Sequence, residues 1–160
     1  ISGGSFDEKM FDTVASLQVP YILTHTPAKP DCMQKSTNYN NLFMDICKYF
    51  SERLERLRIL GAKDIVLDLG FCFGKTIEQN YELLSRQKEF EIFNLPILTG
   101  ISRKSMIYKP LDKTPEEVLN ETSFLHAFAL QNGANILRVH DVAIAKNCIK
   151  LFNLYNTNSK

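Results

Sequence analysis

Asp68-Leu69-Gly70-Phe71-Cys72-Phe73-Gly74-Lys75-Thr76 follows the apolar run Ile65-Val66-Leu67 and opens into a helical pattern over residues 76–93. The same transition recurs twice. Pro96-Ile97-Leu98-Thr99 runs into Gly100-Ile101-Ser102-Arg103-Lys104-Ser105, and Ile136-Leu137 runs into Arg138-Val139-His140-Asp141-Val142. Short apolar runs that give way to helical periodicity read as buried parallel strands of βα units. In such sheets ligands meet the strand C-termini, where side chains and helix N-terminal N–H groups converge. All three motifs lie at that junction.

Outward from the motifs the alternation continues. Tyr21-Ile22-Leu23-Thr24 after Pro20 reads as another strand. Residues 39–60 carry Leu42, Ile46, Phe50, Leu54 and Leu57 at helical spacing, with Gly61 as a stop. A short helix is expected from Lys104. A longer one, over 115–132, should bury Val118, Thr122, Leu125 and Ala129. The last strand is expected at 136–139 and the last helix at 141–155, with Val142, Ala145, Ile149 and Phe152 on one face. Four parallel βα units with right-handed crossovers make an α/β fold, half of a (β/α)8 barrel that normally needs about 250 residues.

Composition mainly excludes. With 160 residues, 44% hydrophobic, the chain can bury one core, so residues 1–160 read as a single partial domain. A formal net charge of +1 argues against nucleic-acid or membrane-surface binding driven by bulk charge. No apolar run approaches the roughly 20 residues that span a bilayer. Cys32, Cys47, Cys72 and Cys148 form no CxxC pair, which fits reduced thiols and a cytoplasmic setting. No internal repeat or low-complexity segment is present. The chain opens at Ile1-Ser2-Gly3-Gly4 without a methionine, as though cut from a longer protein, and shows no basic leader.

Each motif suggests a chemistry. Gly70 to Lys75 is one residue short of a phosphate-cradling P-loop, and it holds phenylalanines where backbone would wrap phosphates. Asp68 at a strand end, before a glycine-aromatic loop, can accept two hydrogen bonds side by side from the donor edge of a pterin or guanine-like ring. Its bland reading is a loop carboxylate. Arg103 and Lys104 stand at a helix start, where cations oppose the dipole, so an anionic or electron-rich ligand is expected to compensate. Arg138 and His140 alternate with the strand period and should share a side, making an anion site beside the Asp141 helix. His126, mid-helix, reads as structural, and His25 as a candidate to line the pocket. Cys72 reads as tolerated, since nothing nearby in sequence would activate its thiol.

Together the motifs resemble those of the dihydropteroate synthase family, whose last three barrel strands end in DPGFGFGK, SRKS and RVHDV patterns. The resemblance covers essentially the whole chain and implies the C-terminal half of a TIM barrel. The four strands would be strands 5–8, and Ile1–Gly4 the tail of the fourth. Two sheet edges would then lack barrel neighbours, to be supplied by another chain or a second copy: a homodimer, or association with the missing N-terminal half. The implied reaction joins 6-hydroxymethyl-7,8-dihydropterin diphosphate to p-aminobenzoate, giving dihydropteroate and diphosphate. This is a folate-pathway transferase step and a sulfonamide target, with small-molecule substrates and no nucleic acid or membrane partner.

By the same resemblance, Asp68, Lys104 and Arg138 hold the pterin, and Phe71, Phe73 and Ser105 the p-aminobenzoate. Ser102, Arg138 and His140 hold the diphosphate, and Lys104, Arg138 and His140 are the catalytic group. Arg103 is left as an ion-pair donor behind them. The expected cofactor is Mg²⁺, held by an asparagine of the first barrel strand; that strand would precede Ile1, so no residue here is assigned to metal and the chain by itself is expected to be inactive. The sequence departs from the pattern at Leu69, where proline is usual, and at Cys72, where glycine is usual. A methyltetrahydrofolate methyltransferase, which shares the Asp-anchored pterin pocket, and a non-catalytic fragment stay open as alternatives.

Overall fold

The computed structural model describes residues 2–27 and 37–158. Four strands, β1 (Tyr21–Thr24), β2 (Ile65–Asp68), β3 (Ile97–Thr99) and β4 (Ile136–Leu137), form one parallel sheet in sequence order. Thr24 lies beside Asp68, Asp68 beside Leu98 and Thr99 beside Leu137, so the C-terminal strand ends come level. Leu23, Leu67 and Ile97 are almost fully buried, as expected for a parallel sheet covered by crossover helices. Among the described residues β1 and β4 pair on one side only.

The helices are α1 (Met10–Leu17), α2 (Leu42–Ile59), α3 (Ile77–Ser85), α4 (Ser105–Tyr108), α5 (Leu119–Gln131) and α6 (Val142–Thr157). Asn41 caps α2 by accepting from the Met44 N–H, and the expected stripe from Leu42 to Leu57 goes into the core. Gly61, at φ +88°, turns the chain out of that helix. Thr76 and Gln79 close a capping box that starts α3 directly after the first motif. No helix among the described residues is long and apolar enough to cross a membrane. Cys47, Cys72 and Cys148 are not in disulfides; Cys32 and Ile1 lie outside the described residues.

Several boundaries differ from expectation. The helix over 76–93 breaks at Arg86 into α3 and a 3₁₀ stretch, Gln87–Phe93. The break turns Gln87 inward, where its amide donates to the Ala129 and Asn132 carbonyls and accepts from Thr99 Oγ1 at 2.6 Å. Likewise 115–132 begins as 3₁₀ turn Pro115–Glu117 and becomes α5 after Val118, with all four expected residues buried. Gly3 and Gly4 take positive φ in a turn instead of a strand tail. Helix α1 escaped the sequence reading because it is short and has no side-chain cap. On α6 the expected apolar face is fully buried only at Ala145; Ile149 and Phe152 are half-buried and Val142 is exposed.

Candidate active site

Asp68, the last residue of β2, is fully buried, yet its carboxylate is well supplied with donors. Oδ1 accepts from the Gly70 N–H at 2.9 Å, and Oδ2 from Thr24 Oγ1 at 3.3 Å and Arg138 Nη1 at 2.9 Å. This tight return of the chain requires glycine at 70: φ is +66°, and a Cβ there would lie 1.8 Å from the His25 carbonyl oxygen. Cys72, two residues on, also sits in the left-handed region at φ +64°, a conformation that costs an ordinary L-residue about 1–2 kcal/mol. The departure from glycine noted in the sequence thus falls where glycine would be unstrained.

Arg138 follows β4 and reaches Asp68 across the backbone of Gly100. A Cβ on Gly100 would come within 2.5 Å of Nη2. Lys104 arrives from the loop after β3. Its ammonium donates to the Phe71 carbonyl at 2.7 Å and stands 4.6 Å from the centre of the Phe73 ring. Burial lowers the Lys104 pKa, while Cys72 and Asp68 oppose that fall and Arg138 adds to it. Ser102, almost fully buried, meets both the backbone N–H of His140 at 3.3 Å and its Nδ1 at 3.0 Å. A cavity of about 340 Å³ opens between these groups, lined by Phe73, Gly100, Ser102, Lys104, Arg138, Val139 and His140.

Residues expected to act together therefore converge from three strand ends. Arg138 and His140 share the cavity, although not through strand alternation, since β4 ends at Leu137. Arg103 turns away, its Nε and Nη2 holding both Asp141 carboxylate oxygens at 2.8 and 2.7 Å. That pair ties the loop after β3 to the start of α6. Phe71 enters the core completely, so only its carbonyl, not its ring, meets Lys104. Ser105 is the first residue of the short helix α4, half-buried and outside the cavity lining.

His25 was a candidate for the pocket wall, but it lies in the interior behind the cavity, 3% exposed, its ring packed edge-on at 4.6 Å against Tyr49. Burial first, then Lys75 and Arg53, hold its pKa well below 6.5. His126 is buried in mid-α5 as its structural reading implied, with Nε2 lacking a hydrogen-bond partner. Lys75 was passed over in the sequence except as part of a failed P-loop. It is 5% exposed, and its amine donates to the carbonyls of Gly70 and Phe73 and reaches His25 Nδ1. A lysine ending a glycine-aromatic loop directly before a helix cap was the available signal.

Comparison with known proteins places this geometry. The family described as pterin binding enzyme matches residues 1–140. Dihydropteroate synthase of Escherichia coli K12 is 41% identical over 133 residues, which cover 82% of this chain and 47% of that protein. The crystal structure of dihydropteroate synthase from Thermus thermophilus in complex with 4-aminobenzoate superimposes with a TM-score of 0.91 at 29% identity, covering 96% of this chain and 63% of that one. The Yersinia pestis enzyme with a sulfonamide drug gives a TM-score of 0.89 at 33% identity, over 92% and 54%. The chain spans about half the length of the E. coli protein it matches.

Proposed function

The chain belongs to the pterin binding enzyme family, and on that premise we propose that it carries the pterin- and diphosphate-binding end of a dihydropteroate synthase. Its four strands correspond to strands 5–8 of the barrel, a placement supported by the parallel order β1-β2-β3-β4 and by three motifs level at the strand C-termini. The observation that carries the reading is the convergence on one cavity of Lys104, Arg138, Ser102 and His140, with Asp68 buried behind that lining and bonded to Arg138.

In the reaction, the amine nitrogen of p-aminobenzoate bonds to the exocyclic methylene carbon of the dihydropterin. The carbon–oxygen bond to diphosphate breaks, its electron pair leaves with the diphosphate, and the amine gives up a proton. Asp68 accepts the paired N–H donors of the pterin edge. Lys104 borders the ring, and Phe73 walls the side on which p-aminobenzoate enters. Charge grows on the leaving diphosphate, and Arg138, His140, Ser102 and the N-terminus of α6 are the groups placed to meet it.

Magnesium is a separate matter. Asp68 and Asp141, the acids bordering the site, are each paired with an arginine, and no cluster of three metal-ligating side chains exists among the described residues. The residues present do not fit the ion, and no step is routed through it. The test is calorimetric titration of this chain with a pterin and with inorganic pyrophosphate. Binding of both, with pterin binding lost in Asp68→Ala, is expected; failure of the wild-type chain to bind either would refute the reading. Release of diphosphate from the complete substrates is expected to be weak, because positioning both substrates contributes several kcal/mol and the family's further loops lie outside this sequence.

A further inference from the structure

The buried amine of Lys75 has three acceptors within reach: His25 Nδ1 at 2.9 Å, the Gly70 carbonyl at 2.9 Å and the Phe73 carbonyl at 3.2 Å. An ammonium group has three donors and accepts nothing. The arrangement uses every donor, and it requires His25 to be neutral with its proton on Nε2. Two separate pieces of chain are thereby pinned to one atom: the end of β1, and both ends of the 70–73 turn. That turn holds Cys72 at positive φ, so its shape is maintained against local preference by its surroundings.

Lys75 does not line the cavity, but the turn it holds presents two groups to Lys104, the Phe71 carbonyl and the Phe73 ring. We propose that Lys75 is a positioning residue for pterin binding, its amine locking the 70–73 turn against His25 so that the turn holds Lys104 over the ring site. The proposal rests on the pterin reading of the cavity. The diphosphate end depends on Arg138 and on a different set of contacts, Ser102 with His140 and Arg103 with Asp141. Only Arg138 meets the 70–73 turn, and only indirectly, through Asp68 and the Gly70 N–H, which lies at the turn's start and not on the Lys75 amine.

That separation supplies the test. The chain and its Lys75→Met variant, checked for folding by circular dichroism, are titrated with pterin and, separately, with inorganic pyrophosphate. Titrations are run at about pH 6, below the value of about 7 to which burial lowers Lys75; Asp68, Cys72, Lys104 and His25 are the other titratable groups facing it. The expected result is pterin affinity reduced tenfold or more with pyrophosphate affinity unchanged within twofold. Equal pterin affinities, or parallel losses for both ligands, would overturn the proposal. Nitrogen-15 histidine NMR of the wild-type chain should show His25 as the neutral Nε2–H tautomer, and an Nδ1–H tautomer would also overturn it. If Lys75→Met does not fold, His25→Phe, which keeps a ring but removes the acceptor, must show the same selective loss of pterin, and unchanged pterin binding there would refute the idea. If wild type binds pyrophosphate but no pterin, the ring-site reading itself fails and the proposal falls with it.

Discussion

Gly100→Ala isolates the placement of Arg138 from everything else in the site. Gly100 is not in the left-handed region, so alanine adopts its backbone without strain. The added Cβ would lie 2.5 Å from Nη2 and 3.0 Å from Cζ and Nε of Arg138. Ordinary contact starts near 3.4 Å, so the guanidinium must retreat by about 1 Å. A retreat of about 1 Å along the Asp68 direction takes the 2.9 Å contact past hydrogen-bond length. A charge-assisted hydrogen bond is worth about 1.5–3 kcal/mol. Water can replace it for Arg138, whose side chain is 45% exposed, but not for Asp68, which is fully buried and keeps only the Gly70 N–H and Thr24 Oγ1 as donors. Removing a glycine also stabilises by about 0.4–1 kcal/mol through the unfolded chain. The melting temperature should therefore fall modestly, by the equivalent of about 1–2 kcal/mol. A ligand that relies on the guanidinium has no such offset, and its affinity should fall about tenfold to a hundredfold. Calorimetry with pyrophosphate, alongside a thermal melt, reads both quantities. Unchanged affinity in a folded Gly100→Ala chain would show that the position of Arg138 over Gly100 is immaterial to anion binding.

Asp68→Asn should abolish detectable pterin binding, since an amide cannot accept both donors while Arg138 loses its counter-charge; retained binding in a fluorescence titration would contradict the anchor role. Arg103→Ala should weaken pyrophosphate binding although Arg103 faces away from the cavity, because Asp141 and the start of α6 lose their tie to the Ser102 loop; calorimetry showing no change would disprove that coupling. Cys72→Gly should raise stability by about 0.5–1 kcal/mol in a urea melt, the relief of a left-handed L-residue outweighing the extra freedom of glycine. A lower midpoint would mean that the cysteine side chain contributes more than the backbone loses. Finally, the folded-state pKa of Lys75, about 7, lies below its unfolded 10.5, so between those values the unfolded chain binds more protons and stability should rise with pH. The rise should vanish in Lys75→Met, and a wild-type denaturation midpoint that falls over this window would refute the assignment.

The sheet was legible because each strand is a short apolar run closed by a glycine or a polar turn, and that contrast is local. The same locality marked Asp68, Ser102, Lys104, Arg138 and His140, which stand at strand ends. What escaped depended on direction and depth. Phe71 and Phe73 are two residues apart in one loop, yet one ring fills the core and the other faces the cavity, because the left-handed turn at Cys72 between them breaks any simple alternation. His25 was read as facing ligand because it follows a strand, but three aromatic rings and a lysine amine enclose it. Lys75 has no role of its own in the sequence beyond the loop motif, and only the folded loop supplies the acceptors that let it be buried. The break at Arg86 depended on Gln87 finding partners on α5 and β3, which no window of neighbouring residues contains.

The ion pair between Asp68 and Arg138 has a consequence for how the two ends of the cavity communicate. A ring whose donors take Asp68 must displace Arg138 from Oδ2, so binding there is an exchange of partners instead of a simple addition. On the proposed reading, a guanidinium released from Oδ2 by a ligand, with Gly100 leaving its place in the cavity open as no alanine there would, stays beside Ser102 and His140 and becomes available to an anion at that end. Occupation of the carboxylate and capture of an anion then assist each other, and linkage requires the assistance to be equal in both directions. On the proposed pterin reading, a single arginine shared between two partners would make the cavity respond to a molecule carrying both a donor edge and a phosphate chain more strongly than to either piece alone.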